Sequence, residues 1–171
     1  QLISTKPVVY ICNVDENSAL SGNEYTKKID EYAKENNSEV LLISAKIESE
    51  ISQISDIQDK QDFLESLGLK ETGLKRVIKK GYEILNYINY FTAGEKELRA
   101  WTITKGTFAP SAAGTIHSDM EKGFIRAETI SYDDYIANNG EAGAKEKGKL
   151  RLEGKEYEVK DGDVMHFLFN V

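Results

Sequence analysis

The chain has 171 residues, 40% of them hydrophobic and 30% charged, with a net charge of −7; this fits one mid-sized or two small globular domains and excludes a long disordered or low-complexity chain. Residues 1–87 hold 11 Lys/Arg against 15 Asp/Glu and residues 88–171 hold 11 against 14, so bulk charge makes no case for DNA or RNA, and an RNA contact needs a local patch. No apolar run approaches the ~18 residues of a membrane span, no signal segment opens the chain, and the single Cys12 cannot form an internal disulfide, so a cytoplasmic protein with no membrane partner is expected.

In chain order, Val8 to Cys12 follows Lys6-Pro7 as a continuous apolar run, the mark of a strand buried on both faces. Asn23 to Asn36 reads as a helix whose stripe is Tyr25, Ile29, Tyr32 and Ala33. Val40 to Ile43 is a second apolar strand ending at Ser44-Ala45-Lys46, so the three segments predict a βαβ unit with parallel strands. A helix over Leu74 to Ile88 carries Leu74, Val77, Ile78, Gly81, Tyr82, Leu85 and Ile88 on one face, approached through Gly68 and Gly73. Two fully apolar parallel strands need more cover than these helices provide. Residues 1–87 therefore read as the end of a larger α/β domain, and the chain as a fragment.

From residue 88 the period changes. Ile88–Thr92 and Leu98–Thr104 predict a hairpin through Ala93-Gly94-Glu95-Lys96. Pro110 to about Met120 predicts a short helix, Phe124–Ser131 a strand, and Tyr132–Asn138 a helix closed by Asn139-Gly140. Lys149–Leu152 and Lys155–Val159 predict a second hairpin, and Val164–Phe169 a last strand after the Asp161-Gly162-Asp163 turn. Strands around one main helix point to a small α+β domain with a mostly antiparallel sheet.

The pattern richest in chemistry is Asn13-Val14-Asp15-Glu16, where the first strand ends. An Asn amide there can bond the Hoogsteen edge of a purine, and the acid further on can face its Watson–Crick edge. Ser44-Ala45-Lys46 stands at the corresponding end of the second strand. The competing reading is that Asn13 closes a turn and Ser44 caps a helix. No Gly-x-x-x-x-Gly-Lys-Ser/Thr phosphate loop accompanies the tetrad.

Other candidates carry less. His117 and His166 lack partners at metal-ligand spacing, so no metal site is expected. Cys12 reads as a small core residue, Glu48 and Glu50 as a solvated face, and Trp101 as a cross-strand aromatic or, less favoured, a base-stacking platform. Lys145, Lys147, Lys149 and Arg151 alternate along an expected loop and strand, which would gather their charges on one face.

Taken together, these segments resemble the C-terminal part of the Obg-like ATPase (YchF) family of P-loop NTPases. The resemblance is carried by Tyr90-Phe91-Thr92-Ala93-Gly94, Arg99-Ala100-Trp101-Thr102-Ile103, Ala113-Gly114-Thr115-Ile116-His117-Ser118-Asp119, Glu121-Lys122-Gly123-Phe124-Ile125-Arg126-Ala127-Glu128 and Asp161-Gly162-Asp163-Val164-Met165-His166-Phe167. It implies that residues 1–87 end a Ras-like P-loop nucleotide domain and that residues 88–171 form a TGS domain, a β-grasp (ubiquitin-like) module. It implies ATP with Mg2+ as cofactor of the intact protein, base contact through Asn13, Val14, Glu16, Ser44 and Ala45, and a ribosome or RNA partner for the TGS domain. Related GTPases carry Asn-Lys-x-Asp, whose Asp accepts from guanine N1–H and its amine. Val14 and Glu16 depart from that pattern and argue against GTP. Without a phosphate loop and Mg2+ ligands the fragment itself is expected to bind no nucleotide and to be inactive as an ATPase. The alternative from a different class is a free-standing β-grasp adaptor with no nucleotide role.

Overall fold

A computed structural model describes residues 2–94 and 97–170 and divides the chain between Ile84 and Leu85 into two compact units. In the first, β1 (Val9–Asn13) pairs in parallel with β2 (Glu39–Ile43), Val9 opposite Glu39 and Asn13 opposite Ile43, with α1 (Glu24–Glu35) as the crossover. These are the predicted βαβ elements. The strands are only half-buried, however, and Ile11 is 52% exposed. The continuous apolar runs exceed the cover that this unit supplies.

Helix α1 begins in a capping box. Asn23 Oδ1 accepts from the Tyr25 and Thr26 N–H groups, and Thr26 Oγ1 accepts from the Asn23 N–H at 2.8 Å. That lock turns Thr26 and Ala33 inward. Tyr25, Ile29 and Tyr32, three of the four expected stripe residues, are exposed. Helices α2 (Ala45–Gln53) and α3 (Ile57–Ser66) close a small core of Ala19, Ile47, Ile51, Leu64 and Leu69, against which Val14 packs.

Helix α4 (Gly73–Ile84) corrects the sequence reading twice. It ends at Ile84, and Ile88 belongs to the next strand. Its Leu74 and Ile78, together with Leu85 just beyond its end, are exposed, because polar contacts orient it. Glu48 accepts from the Gly73 N–H at 2.6 Å and the Leu74 N–H at 3.2 Å, capping the helix from α2. Arg76 Nη2 donates to the Leu42 carbonyl at 2.6 Å and Lys80 pairs with Glu39 at 2.6 Å, so α4 runs along the outer edge of β2. Glu48 is thus a cap, not part of a solvated face.

The second unit holds β3 (Tyr87–Ala93), β4 (Leu98–Thr104), α5 (Ala109–Ile116), α6 (Ser118–Lys122), β5 (Phe124–Ser131), α7 (Tyr132–Ala137), α8 (Glu141–Glu146), β6 (Arg151–Glu153) and β7 (Asp163–Phe169). The sheet order is β4-β3-β7-β5-β6, antiparallel throughout except for β3 with β7. The first hairpin is present as expected, although Glu95 and Lys96 of its turn lie outside the described residues. The core gathers Tyr90, Ile103, Phe124, Val159, Met165 and Phe167 beneath Ala109, Ala112 and Ala113, whose small side chains bring α5 close to the sheet.

Three local readings change. The helix expected over 110–120 is two helices, because His117 takes an extended backbone (φ −158°) and its Nδ1 accepts from the Asp119 N–H at 3.2 Å. The second hairpin is absent: β6 pairs with β5, and among the described residues 155–159 join no strand of the sheet, Glu158 making an isolated bridge with Phe108 outside it. Where a loop was expected, α8 forms. A Cβ on its Gly143 would stand 1.9 Å from the Asn138 carbonyl oxygen, so that glycine allows a close approach and does not break the helix.

Candidate functional site

The loops that end β1 and β2 are tied together by three interactions. Val14 N–H donates to the Ile43 carbonyl at 2.8 Å, continuing the parallel ladder by one residue. Asn13 Oδ1 accepts from the Ala45 N–H at 3.0 Å, across 32 residues of sequence. Lys46 Nζ lies 2.7 Å from Glu16 Oε1. Asn13 therefore uses its carbonyl oxygen within the protein and keeps its amide NH2 for a partner, since an Asn side chain carries both.

Asp15 is the N-cap of a short 3-10 turn, Glu16–Ser18, and its Oδ1 accepts from the Ser18 N–H at 2.9 Å; those bonds hold its carboxyl below the ordinary range. Ser44 stands at the N-cap of α2 without making a side-chain cap bond. Its hydroxyl is buried and has no hydrogen-bond partner among the described residues. Such a group invites a ligand or a water. The bond to Glu16 raises the Lys46 ammonium above its ordinary value. Both loops sit at the carboxyl ends of parallel strands, where open α/β sheets bind ligands.

The basic residues do not form the strand face expected of them. Lys145 is on α8 and Lys147 at its C-cap, both exposed; Lys149 Nζ pairs with Asp134 at 3.2 Å; Arg151 Nε pairs with Glu153 at 2.9 Å. The helix breaks the alternation, and two of the four charges have local partners. Trp101 packs as a cross-strand aromatic: the ring of its partner Tyr90 is near-parallel at 6.5 Å between centroids, and the Arg99 guanidinium lies 4.1 Å from the indole centre. Among the described residues no three His, Cys, Asp or Glu side chains gather as a metal site would require.

Residues 87–170 match the model of the YchF-GTPase_C family, described as a protein of unknown function (DUF933). The chain is 56% identical over 172 residues to the ribosome-binding ATPase YchF of Bacillus subtilis, covering 99% of this chain and 47% of that protein. The chain belongs to the YchF family. The ribosome-binding ATPase YchF of Escherichia coli O157:H7 is 53% identical, with 99% of this chain and 46% of that protein covered. The solved YchF GTPase of Schizosaccharomyces pombe superposes with a TM-score of 0.81 at 36% identity, over 95% of this chain and 43% of its own. A GTP-binding protein of Pyrococcus horikoshii shares the fold, with a TM-score of 0.65 at 20% identity over 96% of this chain and 46% of its own. The chain thus spans about half the length of the curated YchF relatives it matches.

Within this YchF-family chain, sequence reading named Asn13, Val14, Glu16, Ser44 and Ala45 as contacts and included Lys46 in the second loop without a role; its ammonium lies against Glu16. The available signal was its position. A lysine in the first turn of α2 has the wrong sign for a helix N-terminus.

Proposed function

We propose that the first unit is the base-binding end of a Ras-like P-loop nucleotide domain, and that the second is a TGS domain of the β-grasp type that docks the protein on a ribosome or its RNA. The intact protein would bind and hydrolyse ATP, and this chain alone would be inactive. The observation that carries the nucleotide reading is the Asn13 Oδ1 bond to the Ala45 N–H. It joins the two loops into one cradle and leaves the Asn13 NH2 to donate to purine N7. Val14 has already given its N–H to Ile43, so toward a base it offers a carbonyl, which suits the adenine amine and not guanine O6. The buried Ser44 hydroxyl completes the donor set, the Ala45 N–H being spent on Asn13, and these groups fit a purine ring. They do not fit Mg2+, for which the described residues gather no ligand set. Phosphate and metal chemistry would belong to the other half of the protein.

The edges of the small sheet support the larger domain. Arg76, Lys80 and α4 cover the outer edge of β2, whereas no described strand pairs with the far side of β1. A sheet sealed on one edge grows from the other.

The test is nucleotide binding by the longer protein that contains this chain. Asn13→Ala should weaken ADP binding by about tenfold, the worth of one buried hydrogen bond. Unchanged binding would remove the base-site assignment. For the second unit, charge reversal at the two exposed lysines, Lys145 and Lys147, should weaken ribosome co-sedimentation and flatten its salt dependence. The same changes at Lys149 and Arg151 would first break the pairs with Asp134 and Glu153.

A further inference from the structure

We infer that Lys46 sets the purine preference of this site by engaging Glu16, so that the carboxylate is not offered to the two donors on the guanine edge. The inference rests on the base-site reading above and deepens it. The two purines differ on this edge in a simple way. Guanine presents N1–H and an amine, both donors, and a free carboxylate would accept from both. Adenine presents N1 as an acceptor, which a free carboxylate repels.

Glu16 is the only acid of the tetrad open to such an edge, since Asp15 is committed to capping its own turn through Ser18. Lys46 holds Glu16 at 2.7 Å, and the pair is open to solvent on both sides, 68% for Lys46 and 38% for Glu16. A ligand can therefore meet it, and the pair adds little to folding. Nor does Lys46 serve its helix. It lies one residue into the nine-residue α2, where the aligned peptide dipoles present positive charge and a cation is disfavoured. A lysine that stabilises neither its helix nor the fold, and that bridges the two loops beside Asn13 and Ala45, is placed to control a ligand. With the carboxylate neutralised, the guanine donors lose their acceptor, while adenine N1 loses a repelling charge and gains a neighbouring ammonium.

The experiment measures binding of mant-ADP and mant-GDP to the longer protein carrying Lys46→Met, Lys46→Arg, Lys46→Met with Glu16→Gln, and Asn13→Ala. Lys46→Met keeps the length of the side chain and frees Glu16. It should shift the ADP-to-GDP preference toward GDP by about tenfold or more, the worth of hydrogen bonds to a charged acceptor. Lys46→Arg should keep the native preference, and adding Glu16→Gln to Lys46→Met should remove the gain for GDP. A Lys46→Met preference within roughly twofold of the parent's, while Asn13→Ala still weakens both nucleotides, would overturn this inference and leave the base site standing. An Asn13→Ala protein that binds both as the parent does would overturn the two together.

Discussion

Replacing Asp163 tests whether the segment over 154–162 is held by polar chemistry or by packing. Asp163 is 2% exposed. Its Oδ2 accepts from the Tyr157 hydroxyl at 2.7 Å and from the Lys160 N–H at 2.9 Å, and its Oδ1 faces Arg151 Nη2 at 3.5 Å. Asp163→Ala removes both acceptor oxygens and with them all three contacts. A hydrogen bond to a charged group is worth roughly 1.5–3 kcal/mol, so losing the two short ones should cost about 3–5 kcal/mol. The long contact to the partly solvated Arg151 adds little. Asp163→Asn is milder. Its amide oxygen can take the Oδ2 position and keep both short bonds, leaving the NH2 against Arg151, for a cost of about 1–2 kcal/mol. The assay is denaturant unfolding read by the fluorescence of Trp101, the one tryptophan of the chain, which packs on the core of the same unit. The parent should be most stable, the Asn variant intermediate and the Ala variant least stable. An Ala variant within about 0.5 kcal/mol of the parent would refute the reasoning. The segment would then be held by Val159 and by its backbone bond to Thr107.

Two further outcomes follow from the same unit. Gly143→Ala should destabilise by about 1–3 kcal/mol, because the added Cβ would meet the Asn138 carbonyl oxygen at 1.9 Å; Gly154→Ala, which meets nothing within 4 Å, is the control in a thermal-unfolding comparison and should be near neutral. Burial pushes the Tyr90 hydroxyl up to about 12, against the pull of its bond with Thr115. Its folded value lies above the ordinary one of about 10, so its contribution is complete below pH ~10 and lost as pH rises through about 12. Denaturant stability followed across that window should fall more steeply for the parent than for Tyr90→Phe, and equal slopes would show that Tyr90 ionises as it does in the unfolded chain.

What could be read in the sequence was what neighbouring residues decide. Asn23 and Asn36 delimit α1 because each cap bonds backbone within four residues, and Phe124–Ser131 forms a strand to the residue. The errors arose where a distant group sets the outcome. The orientation of α4 follows from Glu48, Leu42 and Glu39, which lie 25 to 41 positions before the residues they bind, so its apolar stripe misled. Residues 155–159 have the alternation of a strand, yet Asp163 draws Tyr157 out of any ladder. The loop expected ahead of Lys149 is helical instead, and Gly143 lets that helix approach the Asn138 carbonyl.

The candidate site divides along the same line. Asn13 and Ala45 were identifiable because Asn13 ends one apolar strand and Ala45 closely follows the other, and parallel pairing in this register brings those ends together. Lys46, one residue further on in the same loop, was given no role, since nothing in a linear reading tells a solvated lysine from one facing Glu16 across thirty residues. The opposite error affected the second unit. Four basic residues spaced two apart looked like one surface, yet Lys149 and Arg151 answer to Asp134, Glu153 and Asp163. A charge becomes available to a partner only after its own neighbours are accounted for. By that measure, on the reading proposed above, the second unit would offer a ribosome Lys145 and Lys147 at the end of α8, and the first would offer a base the Asn13 amide while Lys46 withholds Glu16.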